Sequence, residues 1–181
     1  MMAACDLLML MICSVANCIP LLIQQKVNGY NTFNRSWAEF KVGFNDFSGN
    51  YWLGNELLSQ LTANNSYKLS FEVQSHYTLY WYDAEYSTFR VLSEAYNYEL
   101  LVAGDSAKYT TSSHLKTYHN GTKFTTYDRD NDLLSSGNCA VQNGGGFWYN
   151  NCGTCFVNGS GQYFQWNGLN LRSSRMWLQC K

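Results

Sequence analysis

One stretch limits the folds open to this chain more than any other: Lys123-Phe124-Thr125-Thr126-Tyr127-Asp128-Arg129-Asp130-Asn131-Asp132, running through Gly137-Asn138-Cys139 to Phe147-Trp148-Tyr149-Asn150-Asn151-Cys152. Three carboxylates fall at alternate positions, then come a cysteine, the glycines Gly144 to Gly146, a run of aromatics and a second cysteine. Alternating carboxylates suit a hard cation that prefers oxygen ligands, of which calcium is the commonest; a solvated acidic turn is the plain alternative. An EF-hand is excluded. With Asp128 at its first position, the required glycine is Leu133 and the required bidentate glutamate is Cys139. Two cysteines thirteen residues apart suit a local disulfide in a secreted chain.

The remaining residues narrow the function. A chain of 181 residues is one domain by length and buries a substantial core. A net charge of −1 without a basic patch argues against nucleic acid as a partner. Rings make up 17% of the residues and charges only 14%, a balance that favours sugar or protein contacts. His76, His114 and His119 are scattered, and no nucleophile elbow, phosphate loop or dinucleotide fingerprint is present, so no enzyme is expected.

Residues 1–22 form the most apolar segment. Leu7 to Cys13 reads as the h-region of a signal peptide, with Ser14-Val15-Ala16 as a cleavage site, although no Lys or Arg precedes Lys26. The expected domain then runs over residues 23–181. Ser36 caps a short helix from Trp37 to Gly43, and Asn55 to Leu61 repeats the helical spacing. The period changes to two in Lys68–Val73; Leu79–Tyr82, Thr88–Leu92 and Tyr98–Val102 read as further strands, with Asp83-Ala84-Glu85 as a turn. Helices first and antiparallel strands after predict an α+β domain on one twisted central sheet with a long, loop-rich binding subdomain. Sequons stand at Asn34, Asn64, Asn120 and Asn158.

The ordered set Ile23–Gly29, Phe33–Trp37, Phe40–Phe44, Gly49–Glu56, Leu61-Thr62, Phe89–Val91, Ala103–Ser106, His119–Gly121 and Phe124–Cys152 resembles a fibrinogen-related domain, the C-terminal globular module of fibrinogens, ficolins, tenascins and angiopoietins. The resemblance implies a shortened domain, because the small N-terminal subdomain that precedes the Ile23 motif in relatives has no counterpart. It implies Ca²⁺ held by the carboxylates of Asp130 and Asp132 and the carbonyls of Leu134 and Ser136, with Ser135 and Gly137 as substitutes in a loop one residue longer than usual. It implies a Cys139–Cys152 disulfide; a Cys155–Cys180 bridge is a further expectation, outside the family pattern. In ficolin-like members, acetyl groups bind beside the second cysteine after a cis peptide, which maps the ligand site to Asn143, Asn151, Cys152 and Gly153. Gly153 stands where relatives carry histidine, Asn143 where they carry tyrosine, and Tyr163, Phe164 and Trp166 are candidate replacements for the rest of the pocket. The implied function is that of a secreted, calcium-dependent lectin that recognises acetylated groups or glycans in innate immunity. The alternative is a matrix or receptor-binding ligand of tenascin or angiopoietin type, acting on a cell-surface protein. Avidity in either case calls for another subunit or a homo-oligomer.

Overall fold

A computed structural model describes residues 19–107 and 113–181. The expected leader lies largely outside the described residues. Its last four positions do not, and two of them, Leu21 and Leu22, open strand β1 (Leu21–Lys26) and pair with Leu178 and Trp177, so the folded domain begins before residue 23. No described helix is long and apolar enough to cross a membrane.

The chain continues through helix α1 (Trp37–Val42), the short strands β2 (Phe44–Asn45) and β3 (Tyr51–Trp52), and helix α2 (Asn55–Thr62). Three long strands follow: β4 (Tyr67–Ser75), β5 (Trp81–Val91) and β6 (Leu100–Ala107). Then come α3 (Ser113–His119), β7 (Phe124–Thr125), α4 (Cys139–Asn143), β8 (Phe147–Trp148), β9 (Cys155–Phe156), β10 (Gln165–Trp166) and β11 (Leu169–Cys180). The main sheet runs β2-β3-β1-β11-β4-β5-β6, every pairing antiparallel, and β10 links β11 to β9. β7 and β8 form a separate two-stranded ribbon. The α+β expectation holds.

α1 is fixed by its own sequence. Ser36 Oγ accepts from the Glu39 N–H, and Glu39 Oε2 accepts from the Ser36 N–H at 2.8 Å, a reciprocal capping box. Trp37 and Phe40 share its buried face. Two strand expectations need correction. Asp83-Ala84-Glu85 is no turn: Ala84 points into the core and Glu85 pairs with Lys68 across the sheet, so β5 is continuous. The reversal comes earlier, where Leu79 adopts φ +61°. The strand expected from Tyr98 starts two residues later, because Asn97 and Tyr98 both have positive φ.

The core beneath the acidic stretch is a ring cluster. Trp148 sits 5.2 Å from Phe124 and 5.9 Å from Trp52, and Phe40 sits 5.0 Å from Phe124. Phe40, Trp52, Phe124 and Trp148 are fully buried, each contributing about 2–3 kcal/mol by transfer from water. This cluster seats the β7–β8 ribbon, and the ribbon presents the loop between its two strands.

Candidate functional site

The loop from Tyr127 to Cys139 is held from several directions. Asp128 Oδ1 accepts the Trp37 N–H at 2.9 Å and the Thr126 hydroxyl at 2.7 Å, so it ties the loop to the first turn of α1. Asn131 Nδ2 donates to the Phe124 carbonyl at 2.8 Å, and Asn138 Nδ2 donates to the Thr126 carbonyl at 2.9 Å. The Leu133 N–H reaches the Asn150 carbonyl at 2.9 Å. Arg129 stacks its guanidinium 4.0 Å over Trp37 and donates to Asn97 Oδ1 at 2.7 Å. Nearby, Glu94 accepts from Lys41 and from the Trp37 indole, which, with the Arg129 charge, holds its carboxyl below the ordinary range.

Asp132 is the centre of the loop. Its Oδ1 accepts the Leu134 N–H at 2.9 Å and its Oδ2 accepts the Cys139 N–H at 2.8 Å. Asp130 Oδ1 accepts the Asp132 N–H at 3.2 Å. Partial burial raises the Asp132 pKa above the usual aspartate value, and the Asp130 charge adds to the rise; the two backbone N–H groups oppose it. Each Asp132 oxygen retains a lone pair beyond the one its N–H partner uses. The set therefore fits a hard cation: two carboxylates that repel each other, with the exposed Ser136 and half-buried Leu134 close by in sequence to supply carbonyl oxygens. Among the described residues no three His, Cys, Asp or Glu side chains converge.

Cys139 and Cys152 are disulfide-bonded, with Cα atoms 5.2 Å apart. The bridge fastens the end of the loop and the start of α4 to the segment that follows β8. Asn138 caps α4 by accepting the Val141 N–H at 3.0 Å, and Gly144 ends it at φ +69°. The second bridge is corrected. Cys155 is a free, fully buried thiol whose pKa burial pushes up, so it does not pair with Cys180, which is itself disulfide-bonded.

The expected acetyl site takes a different form. The described residues contain no cis peptide bond, so the Asn151–Cys152 bond is trans; Cys152 instead reaches φ +51°. Asn143 is buried, its Nδ2 donating to the Cys139 carbonyl at 2.8 Å, and it offers nothing to a ligand. Asn151 is exposed. Gly153, at φ +90°, lies against His119: a Cβ there would sit 2.7 Å from the His119 Cε1. His119 is fully buried and its Nδ1 is 2.6 Å from the Trp148 carbonyl. A carbonyl only accepts, so Nδ1 carries the proton and Nε2 is left as a buried acceptor without a partner. Burial lowers the His119 pKa to about 4, outweighing the carbonyl bond. Phe164 and Trp166 are core residues, with Trp166 4.5 Å from Phe71, and only Tyr163 reaches the surface.

The sequons divide. Asn34, Asn64 and Asn120 are exposed. Asn158 is fully buried, with Nδ2 donating to the Gly146 carbonyl and Oδ1 accepting from Gln24, so it is no acceptor in the folded chain. Sequence reading leaves Asp128 to solvent or to ordering the loop and His119 to a surface or structural role, and it does not give the partners of Asp128, Arg129 or His119. The partners of the first two lie some 30 to 90 residues away in sequence, so no local pattern shows them.

This sheet, the ribbon-borne acidic loop and its disulfide define a fibrinogen-type globular domain. Residues 13–181 match the family described as fibrinogen beta and gamma chains, C-terminal globular domain, and the chain belongs to that family. It is 35% identical over 173 residues to angiopoietin-4 from Bos taurus, an alignment spanning 87% of this chain and 34% of that protein. The fibrinogen-like globe domain of human ANGPTL2 superposes with a TM-score of 0.76 at 31% identity, covering 88% of this chain and 79% of that one. Lamprey fibrin D-dimer, solved with the peptide ligand Gly-His-Arg-Pro-amide, gives 0.71 at 26% identity, over 88% of this chain and 60% of that one. The chain spans between a quarter and about three fifths of the length of the curated relatives it matches.

Proposed function

We propose that this chain is an extracellular, non-enzymatic ligand of angiopoietin type that docks a cell-surface protein through the face made by the acidic loop and α4. One observation carries the reading. The Asn143 amide nitrogen and the Cys152 and Gly153 N–H groups that an acetyl ligand would use are already engaged within the protein, whereas Tyr127 and Leu133 of the loop and Val141 of α4 stand 47%, 70% and 59% exposed. Exposed apolar side chains with a polar rim are what a protein interface uses. The similarity to angiopoietin-4 and to the ANGPTL2 globe supports this over the lectin alternative.

Ca²⁺ belongs to the same proposal, held by Asp130, Asp132 and the carbonyls of Leu134 and Ser136. Bound there, it neutralises the two carboxylates. Calorimetry with the metal alone tests it: heat on adding Ca²⁺ to chelator-treated protein, abolished by Asp130→Asn with Asp132→Asn, supports the site, and no heat refutes it. The interface is tested by flow cytometry on cultured cells. Binding should be abolished by protease treatment of the cells, should survive excess N-acetylglucosamine, and should fall in a Leu133→Asp, Val141→Asp variant. Sugar-competed, chelator-released retention on an acetylated matrix would overturn it in favour of the lectin.

A further inference from the structure

A cleft of about 550 Å³ opens where the end of β1 meets the start of β11, and it shares no residue with the acidic loop or the disulfide. Val27 and the buried Leu171 supply apolar lining, Tyr30 and His76 supply rings, and Asn28 and Arg172 complete the wall. The volume is that of a ligand site rather than a packing defect.

Arg172 is placed there by a β-bulge. Leu171 pairs with Ser75 and Ser173 with Gln74, so Arg172 is the extra residue of β11, exposed between two buried neighbours. It makes no ion pair with any described carboxylate. Some of the other polar groups of the cleft are used internally. Asn28 Oδ1 accepts the Tyr30 N–H at 3.1 Å, and the Gly29 carbonyl accepts the Gly161 N–H at 2.9 Å. The walls are also held: the buried Lys26 ammonium donates to the Tyr30 carbonyl at 2.6 Å, and the His76 N–H donates to the Asn170 carbonyl at 2.9 Å. The cleft is thus a preformed trough, apolar on the Val27 and Leu171 side, with one guanidinium that no described carboxylate pairs. A carboxylate next to an apolar side chain matches that lining, because it pairs with a guanidinium in a fork while its neighbour meets the apolar wall.

We propose that this cleft binds a short acidic segment of a partner polypeptide, its carboxylate on Arg172 and a neighbouring apolar side chain on Val27 and Leu171. The site is independent of the loop face, so Leu133→Asp with Val141→Asp leaves it intact. The probe is a displayed library of random heptapeptides, selected on the whole chain and counter-selected on Arg172→Gln. Enriched peptides should carry Asp or Glu adjacent to Leu, Ile or Phe. A synthetic winner should lose about tenfold in affinity when its acid becomes an amide, and about as much on Arg172→Gln, with no further loss when both changes are combined. Arg172 is exposed, so the variant should melt with the parent, which separates lost binding from lost fold. No Arg172-dependent enrichment, winners without an acid, or Arg172-dependent binding of sulfated or sialylated oligosaccharides in place of peptides would each overturn the proposal.

Discussion

Lys26 is the most exacting test of the packing described above. Its side chain is fully buried. The ammonium donates to the Tyr30 carbonyl at 2.6 Å and to Thr32 Oγ1 at 3.3 Å, and lies 5.1 Å and 5.3 Å from the ring centres of Phe33 and Phe164. No described carboxylate is in contact with it. Burial therefore dominates and lowers its pKa from 10.5 to about 8, with the Asp46 charge pulling weakly the other way. A cation whose pKa is depressed by folding destabilises the fold wherever it stays charged. At pH 7 that amounts to about 3 kcal/mol relative to an unfolded chain whose lysine is unperturbed. As pH rises through 8, the folded amine loses its proton while the unfolded one keeps it, so stability increases. Between about pH 7 and about pH 9.5 the gain is about 2 kcal/mol. Lys26→Met keeps the length of the side chain and removes the titration. Urea unfolding of parent and variant, followed by tryptophan fluorescence at both pH values, isolates the effect, because Cys155 and the tyrosines titrate alike in each. The parent should gain about 2 kcal/mol on the variant over that interval. Parallel stability curves would refute the reasoning, and would mean that water or a counter-charge reaches the ammonium.

Other expectations follow from the same geometry. Removing the Cys139–Cys152 bridge by a double Ser substitution should cost about 3 kcal/mol in thermal or urea unfolding, from the loop of about 14 residues it closes. Gly153→Ala places a Cβ against the His119 ring at a positive φ and should cost about 2 kcal/mol; His119→Ala in the same chain should return part of it in a double-mutant cycle. Asp128→Ala strips a partner from the first turn of α1 and should cost about 1 kcal/mol by urea unfolding. Glycopeptide mapping of the secreted chain should find sugars among Asn34, Asn64 and Asn120 and none at Asn158, whose acceptor nitrogen is bonded to Gly146.

How much of this was legible in the residues depends on the distance over which each feature is decided. The α1 cap needs only Ser36 at the helix start, and it is read correctly; the Glu39 half of the box, equally local, goes unread. The alternation of β4 is equally local. β11 is the longest strand and lies at the middle of the sheet, yet it escapes a period-two reading. The bulge at Arg172 shifts the phase, so Leu171 is buried before it, the adjacent Ser173 and Ser174 are both buried just after it, and the alternation resumes with Met176 and Leu178. Two serines inside a sheet read as surface. They are core because Ser173 donates to the Lys26 carbonyl and Ser174 bonds Gln24 and Val157. The β4–β5 reversal was misplaced for a related reason: the left-handed residue is Leu79, which carries no turn signature. At the site, the disulfide and the acidic pair are visible in spacing and resemblance. That Asn143 and Asn158 face inward is set by contacts across the chain, and no pattern around them reveals it.

These contacts also bear on what a bound ion can contribute. The acidic run on its own suggests a loop that needs a cation to hold it. The structure ties the same loop to α1 through Asp128, to β7 through Asn131, to Asn150 through the Leu133 N–H, and to α4 through the disulfide and Asp132. What is left for the proposed Ca²⁺ is the repulsion between Asp130 and Asp132, which adds to a rise in the Asp132 pKa caused mainly by burial. Relief of that repulsion stabilises by mass action, in proportion to the logarithm of metal over Kd, and does not switch the domain from unfolded to folded. Chelation should therefore lower the melting temperature while leaving a cooperative transition, and the exposed Leu133 and Tyr127 should keep their places because their backbone anchors do not pass through the ion. A chain that lost its cooperative melt in chelator would show that the loop, and not the ring cluster beneath it, organises this end of the domain.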